Sequence, residues 1–176
     1  MKNLSWITKV IFIVLLFLGD PPSFADDARP TRDLQVAGWI ENVSIFPGNM
    51  KIKAKLDTGA RNSSLNAKNI EEFARAGDKW VRFNLKNWKG RTENFEAKII
   101  RTATIKQHET DSVTRPDIRL GICLGNVYKE VEVNLQDRSK FNYQMLIGRS
   151  FLRKSILVDS AVTFTVEPEC QGATHK

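Results

Sequence analysis

One acidic residue in a tight turn is the first candidate for chemistry in this sequence. Asp57 follows residues 50–56, where apolar side chains alternate with lysines, the pattern of a β-strand with one buried and one solvent-facing side. Thr58, Gly59 and Ala60 come next, so the carboxylate stands where the strand ends and where a glycine lets the backbone approach closely. Neighbouring N–H groups can then hydrogen-bond the carboxylate. A carboxylate placed in this way is a candidate general acid or base.

A second short pattern lies near the other end of the chain, where Leu146 and Ile147 are followed by Gly148 and Arg149. Together, Leu-Asp-Thr-Gly-Ala and this distant Leu-Ile-Gly-Arg resemble the retropepsin-like aspartic peptidases, single-lobed relatives of pepsin. The closer resemblance is to a bacterial branch long described as ATP-dependent zinc proteases. It covers about residues 36–166, and Asn66 stands where that branch usually has a histidine. Residues 38–41, 81–83 and 137–139 also echo the branch.

The resemblance implies a mechanism that needs two carboxylates sharing one proton. One carboxylate acts as general base on a water molecule while the other, protonated, donates to the scissile carbonyl. This chain has one such motif, so the second carboxylate must be Asp57 of a second copy across a symmetric interface. The implied protein is a homodimeric aspartic endopeptidase that acts on a peptide or protein substrate and uses no cofactor.

The resemblance also implies roles for the residues around this acid. Thr58 would hydrogen-bond across the dimer, and Gly59 would lie against the substrate backbone. Ala60 has no side-chain hydroxyl to offer the carboxylate. The apolar residues before Gly148 would thread the loop that supports the acid, and Gly148 and Arg149 would open a helix behind it.

A flap must also close over the substrate, excluding water and aligning the peptide by main-chain hydrogen bonds. Counting strands backwards from Gly148 places its tip in the polar segment 107–115, which has no hydrophobic period. The turn at residues 87–90, which carries Trp88, is the alternative. The candidate substrate-binding residues of the favoured tip are His108, Glu109, Thr110, Asp111, Ser112, Val113 and Thr114.

Alternation and turn residues predict the other elements of a mainly β fold. The predicted strands are residues 36–45, 80–85, 95–105, 118–124, 127–135, 143–147 and 156–166. A helix is predicted at residues 66–76, where Ile70, Phe73 and Ala74 have helical spacing, and one or two helical turns at 149–154. Many short strands with one or two short helices predict a mainly β barrel, and the resemblance implies that it is a single-lobed, retropepsin-like closed β-barrel.

The first 25 residues predict a secretory signal peptide. Lys2 and Lys9 flank a short apolar run, and Ser23-Phe24-Ala25 is a small-residue cleavage pattern. The run is shorter than the roughly 20 residues that a membrane-spanning helix needs, which argues against an uncleaved anchor. We therefore expect export across the inner membrane, cleavage after Ala25, and a periplasmic or extracellular protein.

The expected mature chain has a flexible leader at 26–34, one retropepsin-like domain at 35–167 and a disordered tail at 168–176. Cys123 and Cys170 would both enter an oxidising compartment. They can form one disulfide or remain two free thiols, because their spacing does not decide between these alternatives.

The net charge of +7 falls to +6 when Lys2, Lys9 and Asp20 leave with the signal peptide. This balance favours acidic peptides or an anionic envelope surface as partners, and nucleic acid is not expected for an exported protein. Dispersed lysines that only keep the protein soluble are the alternative. Four arginines that can recognise an acidic substrate or pair with nearby carboxylates are Arg115, Arg119, Arg138 and Arg149.

The zinc and ATP in the branch's older description are not supported by the residues. His108 and His175 are the only histidines, and the sequence has no His-Glu-x-x-His pattern, so no metal site is predicted. No phosphate-binding glycine-rich loop is present either. The alternative to a peptidase is a non-catalytic envelope module that keeps the barrel and binds a peptide or partner through its groove or basic face.

Overall fold

The structure, a computed structural model, describes residues 33–106, 112–137, 139 and 142–170. The predicted signal peptide, the leader up to residue 32 and the last six residues, including His175, lie outside the described residues. Within the described ranges, no helix has both the length and the apolar character needed to span a membrane.

The described part of the chain contains eleven strands and one short helix. The strands are β1 (Gln35–Gly38), β2 (Ile40–Phe46), β3 (Met50–Leu56), β4 (Ser63–Asn66), β5 (Lys68–Arg75), β6 (Asp78–Lys86), β7 (Thr92–Lys106), β8 (Ser112–Leu124), β9 (Val127–Gln136), β10 (Met145–Ile147) and β11 (Ile156–Asp159). The helix, α1 (Arg149–Leu152), lies between β10 and β11.

Six strands close a barrel in the order β2-β3-β10-β4-β9-β8, because β2 pairs with β3 on one side and with β8 on the other. The sheet continues outward from β8 through β7, β6 and β5, while β1 and β11 form a separate two-stranded parallel sheet. The apolar residues of β3 point into the core and its lysines point outward. The predicted mainly β, retropepsin-like barrel is confirmed.

Several predicted elements have the expected type but different bounds. The strands at 80–85, 95–105, 118–124 and 127–135 are each longer than predicted, and the strand at 143–147 begins only at Met145. The helix at 149–154 is a single turn.

The predicted helix at 66–76 is wrong, because this segment is the end of β4 followed by β5. β5 pairs antiparallel with β6 from Lys68 to Arg75. The chain reverses at Ala76 and Gly77, whose φ angles of 51° and 81° are those of a two-residue hairpin turn.

Stacked side chains stabilise this hairpin. The Arg75 guanidinium lies 5.1 Å from the ring centre of Phe73 and 4.7 Å from that of Trp80 on the facing strand, so one cation contacts two aromatic faces. Arg75 and Arg82 also hydrogen-bond Glu96 and hold the pKa of that carboxyl below its ordinary value. These contacts between neighbouring strands stabilise β5 as a strand and explain why the predicted helix does not form.

The predicted strand at 36–45 is divided at Trp39 into β1 and β2, and the predicted closing strand at 156–166 ends at Asp159. Residues 160–170, here called the C-terminal strap, follow β11 without strand pairing. The Trp39 N–H donates to the carbonyl of Val162 at 3.1 Å, and the Phe164 N–H donates to the carbonyl of Ile40 at 2.8 Å. The strap therefore joins the chain at the division between β1 and β2.

A buried carboxylate holds the strap in place. Glu41 is fully buried, and its Oε1 accepts from the Gly38 N–H at 2.7 Å, the Thr165 N–H at 2.9 Å and the Thr165 hydroxyl at 2.7 Å. Its Oε2 accepts from the Val166 N–H at 3.3 Å. Buried ionised groups need such partners, and here they come from two segments far apart in sequence.

The strap is also covalently attached. Cys123 and Cys170 form a disulfide with their Cα atoms 5.9 Å apart, and the Glu169 N–H donates to the carbonyl of Gly125 at 2.8 Å. The disordered tail predicted from residue 168 is therefore wrong as far as Cys170, because these residues are bound to the β8–β9 turn. The alternative of two free thiols is also wrong.

Candidate active site

Asp57 follows β3 at the point where β10 passes between two other strands. β10 pairs in parallel with β3, which places Ile147 beside Leu56, and antiparallel with β4, which places Met145 beside Leu65. The Asp57 N–H donates to the carbonyl of Ile147 at 2.8 Å. The apolar residues before Gly148 therefore thread the loop between β3 and β4, as the resemblance implied.

The loop hydrogen-bonds its own carboxylate. Asp57 Oδ1 accepts from the Gly59 N–H at 2.9 Å and from the Ala60 N–H at 3.1 Å. In the described ranges no lysine or arginine forms an ion pair with Asp57. The side chain is only half-buried, and Thr58 and Gly59 are exposed. The carboxylate is therefore oriented from one side and accessible from the other.

Arg149 binds three consecutive carbonyl groups of this loop. Its Nη1 donates to the carbonyls of Thr58 at 2.9 Å and Gly59 at 2.7 Å, and its backbone N–H donates to that of Ala60 at 2.9 Å. Sequence reasoning gave Arg149 a place at the start of the helix. The structure adds that its side chain orients the loop, which turns the N–H groups of the same peptides toward Asp57.

Gly148 lies where no side chain fits. A Cβ atom there would be 2.5 Å from the carbonyl oxygen of Asn62 and 2.9 Å from that of Arg61. The Gly148 N–H donates to the hydroxyl of Ser63 at 3.2 Å, and Ser63 is fully buried. Ser63 is a supporting residue that sequence reasoning missed, because its partner lies 85 positions away.

For the peptide cleavage that the sequence predicts, we expect Arg149→Gln to lower kcat about tenfold or more, because a loosened loop misplaces the Asp57 carboxylate. The free energy of unfolding should fall by no more than about 1–2 kcal/mol, since the lost hydrogen bonds are solvent-exposed. Steady-state kinetics and thermal unfolding measure both quantities.

Lys55→Gln is the control, because Lys55 is an exposed cation on β3, two positions before Asp57, that forms no ion pair in the described ranges and does not line the cavity beside the loop. It should leave kcat unchanged. Equal losses of kcat in the two variants would contradict a specific role for Arg149.

An open cavity of about 590 Å³ beside the loop is rich in arginine. Its lining residues are Arg61, Asn62, Arg119, Glu130, Val131, Glu132, Arg149, Ser150 and Arg153. Sequence reasoning identified Arg119 and Arg149 but missed Arg61 and Arg153, because only the fold brings them together. Of the other arginines named, Arg115 lies in β8 opposite Ala103, and Arg138 is outside the described residues.

The predicted flap corresponds to the hairpin of β7 and β8. Their pairing runs as far as Lys106 beside Ser112, so Ser112, Val113 and Thr114 belong to β8. His108, Glu109, Thr110 and Asp111 lie outside the described residues, and their role stays a prediction. The count of strands back from Gly148 agrees with the observed order, since β9 and β8 precede β10.

The alternative flap, the turn at residues 87–90, lies at the other end of β3. Asn87 Nδ2 donates to the carbonyl of Lys51 at 3.4 Å, and Lys51 is at the start of the strand that leads to Asp57. At about 3.3 Å per residue, this end of β3 is roughly 20 Å from the carboxylate.

An ion pair fixes the base of the β7–β8 hairpin. Arg101 Nε donates to Asp117 Oδ2 at 2.6 Å, and its Nη2 lies 3.1 Å from Glu132 on β9. Asp117 is buried, and its hydrogen bond raises the pKa of Arg101. One arginine therefore connects three neighbouring strands.

The pairing expected between Arg138 and Asp137 stays a prediction, because Arg138 lies outside the described residues, and the structure shows two other partners of Asp137. Lys68 Nζ lies 2.8 Å from Asp137, and together with Ser139 it holds the pKa of Asp137 well below its ordinary value. Within the described ranges, no group of three or more His, Cys, Asp or Glu side chains is arranged to hold a metal ion.

Comparison with known families gives a match over nearly the whole described domain. A family model named RimB-like, described as retropepsin-like aspartic endopeptidase RimB, matches residues 36–169. A crystal structure of a Legionella pneumophila protein of unknown function superposes with a TM-score of 0.65 at 33% sequence identity. That likeness covers 75% of this chain and 98% of the other.

Curated relatives match over part of their length. A protein of Shewanella pealeana named probable alpha-L-glutamate ligase is 38% identical over 116 residues, which are 64% of this chain and 25% of that protein. A Desulfotalea psychrophila protein of the same name is 32% identical over 114 residues, 63% of this chain and 25% of its own length. The chain thus spans about a quarter of the curated relatives it matches.

Proposed function

Because the chain belongs to the RimB-like family of retropepsin-like aspartic endopeptidases, we propose that it hydrolyses peptide bonds as a homodimer. The observation that carries this proposal is the loop that orients Asp57 while leaving it without a cationic partner in the described ranges. A carboxylate neutralised by its own subunit could not share a proton with its twin.

In this mechanism the two Asp57 side chains lie close enough for one proton to serve both, because two adjacent carboxylates cannot both ionise easily. The ionised member takes a proton from a water molecule, which attacks the scissile carbonyl. The protonated member donates to the carbonyl oxygen. The tetrahedral intermediate then breaks its C–N bond, the leaving amine takes the proton that was removed from water, and the hydroxyl formed on the carbonyl returns its proton to the acid that donated it. Arg149 holds the loop in position, and the exposed Thr58 and Gly59 face the partner and the substrate. The β7–β8 hairpin carries the flap.

The proposed substrate is an acidic peptide, rich in glutamate or aspartate. The cavity beside the loop contains four arginines and two glutamates, and arginine binds carboxylates in two-point geometry. The matching relatives are named probable alpha-L-glutamate ligases, so a domain similar to this chain occurs in proteins named for the ligation of glutamate. With the predicted signal peptide, the substrate is a protein or peptide of the cell envelope.

The test is cleavage of a glutamate-rich peptide compared with the same peptide carrying glutamine at each glutamate. The acidic peptide should be cleaved at least about tenfold more efficiently, measured as kcat/KM, because several charge-assisted hydrogen bonds are lost with glutamine. Arg119→Glu should raise KM for the acidic peptide and leave KM for the neutral one unchanged.

Equal cleavage of both peptides would refute the acidic preference but leave the peptidase intact. Binding of the acidic peptide without cleavage would instead favour the non-catalytic module.

A further inference from the structure

A solvent-exposed tryptophan lies on a turn that gives it no place in the core. Trp88 is 37% exposed and follows Asn87, whose Oδ1 accepts from the N–H groups of Lys89 and Arg91, both at 3.0 Å. The Asn87 N–H donates in turn to the carbonyl of Arg91 at 2.9 Å. Asn87 is itself buried. The turn is therefore held by hydrogen bonds that do not involve the indole, which remains exposed.

A second exposed aromatic ring lies beside the first, with a lysine between them. The Lys53 ammonium is 5.6 Å from the ring centre of Trp88 and 5.4 Å from that of Phe164. Phe164 belongs to the C-terminal strap and is 46% exposed. The two rings and the cation form one solvent-facing group across β3, the β6–β7 turn and the strap.

Further basic residues surround this group. Trp88 lines an open depression of about 300 Å³ together with Lys51, Lys89 and Arg91. Lys51 is paired with Glu167 and Arg91 with Glu93, while Lys53 and Lys89 have no carboxylate within ion-pair distance in the described ranges. We call this surface the basic aromatic face, and it consists of Lys51, Lys53, Trp88, Lys89, Arg91 and Phe164.

We propose that the basic aromatic face binds an anionic phospholipid surface, with Trp88 and Phe164 entering the headgroup region. Tryptophan prefers the membrane–water interface, where its ring is partly buried and its N–H stays hydrated. Basic residues near such a surface are attracted to anionic headgroups. An acidic protein partner is the alternative that the test below separates from a lipid surface.

The Trp88 end of the face lies far from the candidate active site, whereas Phe164 lies nearer to it, because the Phe164 N–H donates to the carbonyl of Ile40 and Ile40 pairs with Lys55. The turn contacts Lys51 at the start of β3, and Asp57 follows the other end of that strand, roughly 20 Å away. The proposal does not depend on peptidase activity, so the two can fail independently.

The test is co-sedimentation of the protein with phosphatidylcholine vesicles that do or do not contain phosphatidylglycerol. We expect binding only to the anionic vesicles, with loss at high salt. Trp88→Ala should weaken binding about tenfold or more, as expected for an aromatic ring that no longer leaves water. Lys89→Glu should weaken it at least about fivefold, the effect of one charge near an anionic surface.

Lys79→Glu is the matched control, because Lys79 is equally an exposed lysine but lies on the β5–β6 hairpin. It should bind nearly as well as the unmodified protein. Brominated lipids should quench the tryptophan fluorescence of the protein and should not quench that of Trp88→Phe.

The proposal is overturned if the protein does not co-sediment with anionic vesicles, or if Lys79→Glu and Lys89→Glu weaken binding equally. Soluble polyglutamate that binds in place of vesicles, with the same dependence on Trp88, would assign the face to an acidic macromolecule instead.

Discussion

Asp57→Asn is expected to abolish peptide cleavage, with kcat falling on the order of 10³-fold or more, as for the loss of a group that acts in the chemical step. Asparagine retains an Oδ1 that can accept from the N–H groups of Gly59 and Ala60, so the loop should keep its shape. The free energy of unfolding should change by less than about 1 kcal/mol. Kinetics with the acidic peptide and denaturant unfolding check the two parts.

Asp159→Asn is the matched control. Asp159 Oδ1 accepts from the Ala161 N–H at 2.8 Å, which repeats the local geometry of Asp57 and Gly59 at a different position. It should retain full activity. Undiminished cleavage by Asp57→Asn would remove the peptidase proposal altogether.

A mixing experiment tests whether the two acids come from different copies. Excess Asp57→Asn subunits added to a fixed amount of the active protein should suppress its activity, because mixed dimers hold one ionisable acid instead of two. Activity that depends only on the amount of active protein would mean that each subunit works alone.

Glu41→Ala should produce the largest loss of stability, about 3 kcal/mol or more, because the side chain is fully buried and four donors, in buried or part-buried hydrogen bonds, would lose their acceptor at once. Typical domains have only about 5–15 kcal/mol of stability in total, so poor folding at physiological temperature is expected. Glu41→Gln should lose less, since its carbonyl oxygen can still accept from Gly38 and Thr165. Its amide would, however, face the Val166 N–H with another donor.

Glu167→Gln is the control for this variant. Glu167 is also a strap carboxylate, paired with Lys51 at 2.7 Å, but both side chains are about half exposed. Exposed ion pairs contribute roughly 0–1 kcal/mol to stability. Glu167→Gln should therefore change the free energy of unfolding, measured with urea, by no more than this amount. Comparable losses in Glu41→Ala and Glu167→Gln would contradict the special role of the buried acid.

The local sequence pattern was sufficient to predict those elements whose structure depends on a single strand or turn. The alternating lysines before Asp57 placed β3 and the carboxylate correctly, because that pattern depends only on which face of one strand is wet. The same holds for residues 125 and 126, which lie between the predicted strands 118–124 and 127–135 and form a turn in which Gly125 has a φ of 56°. The barrel itself followed from a resemblance, which supplied the pairing that periodicity cannot.

Sequence reasoning failed where the deciding partner is distant. Ile70, Phe73 and Ala74 fit a helix, but Arg75 stacks on Trp80 and binds Glu96, and these contacts exist only once three strands are assembled. Glu41 carried no local sign of burial, since its partners are at Thr165 and Val166. Of the four arginines in the cavity, Arg119 and Arg149 were identified from the sequence and Arg61 and Arg153 were missed, because only the fold brings the four together.

The disulfide shows the same limit in a different form. Cys123 and Cys170 are separated by 47 positions, and no local pattern selects pairing over two free thiols. The fold decides it by bringing the strap to the β8–β9 turn. The tip of the flap at residues 107–111 remains a prediction from strand order alone.

The contact between Glu41 and the strap has a consequence for how the chain is made. β1 pairs with β11, which places Gln35 beside Ile156, and the loop of Asp57 is supported by β10. The segments that are synthesised first can therefore take their final contacts only after the last segments have been synthesised. A nascent chain that has emerged only to residue 140 already contains the aspartate but neither the strand beneath it nor the arginine that orders its loop. Asp57 is thus synthesised early, but the loop that holds it is completed late, so the candidate site is incomplete during most of the chain's translation.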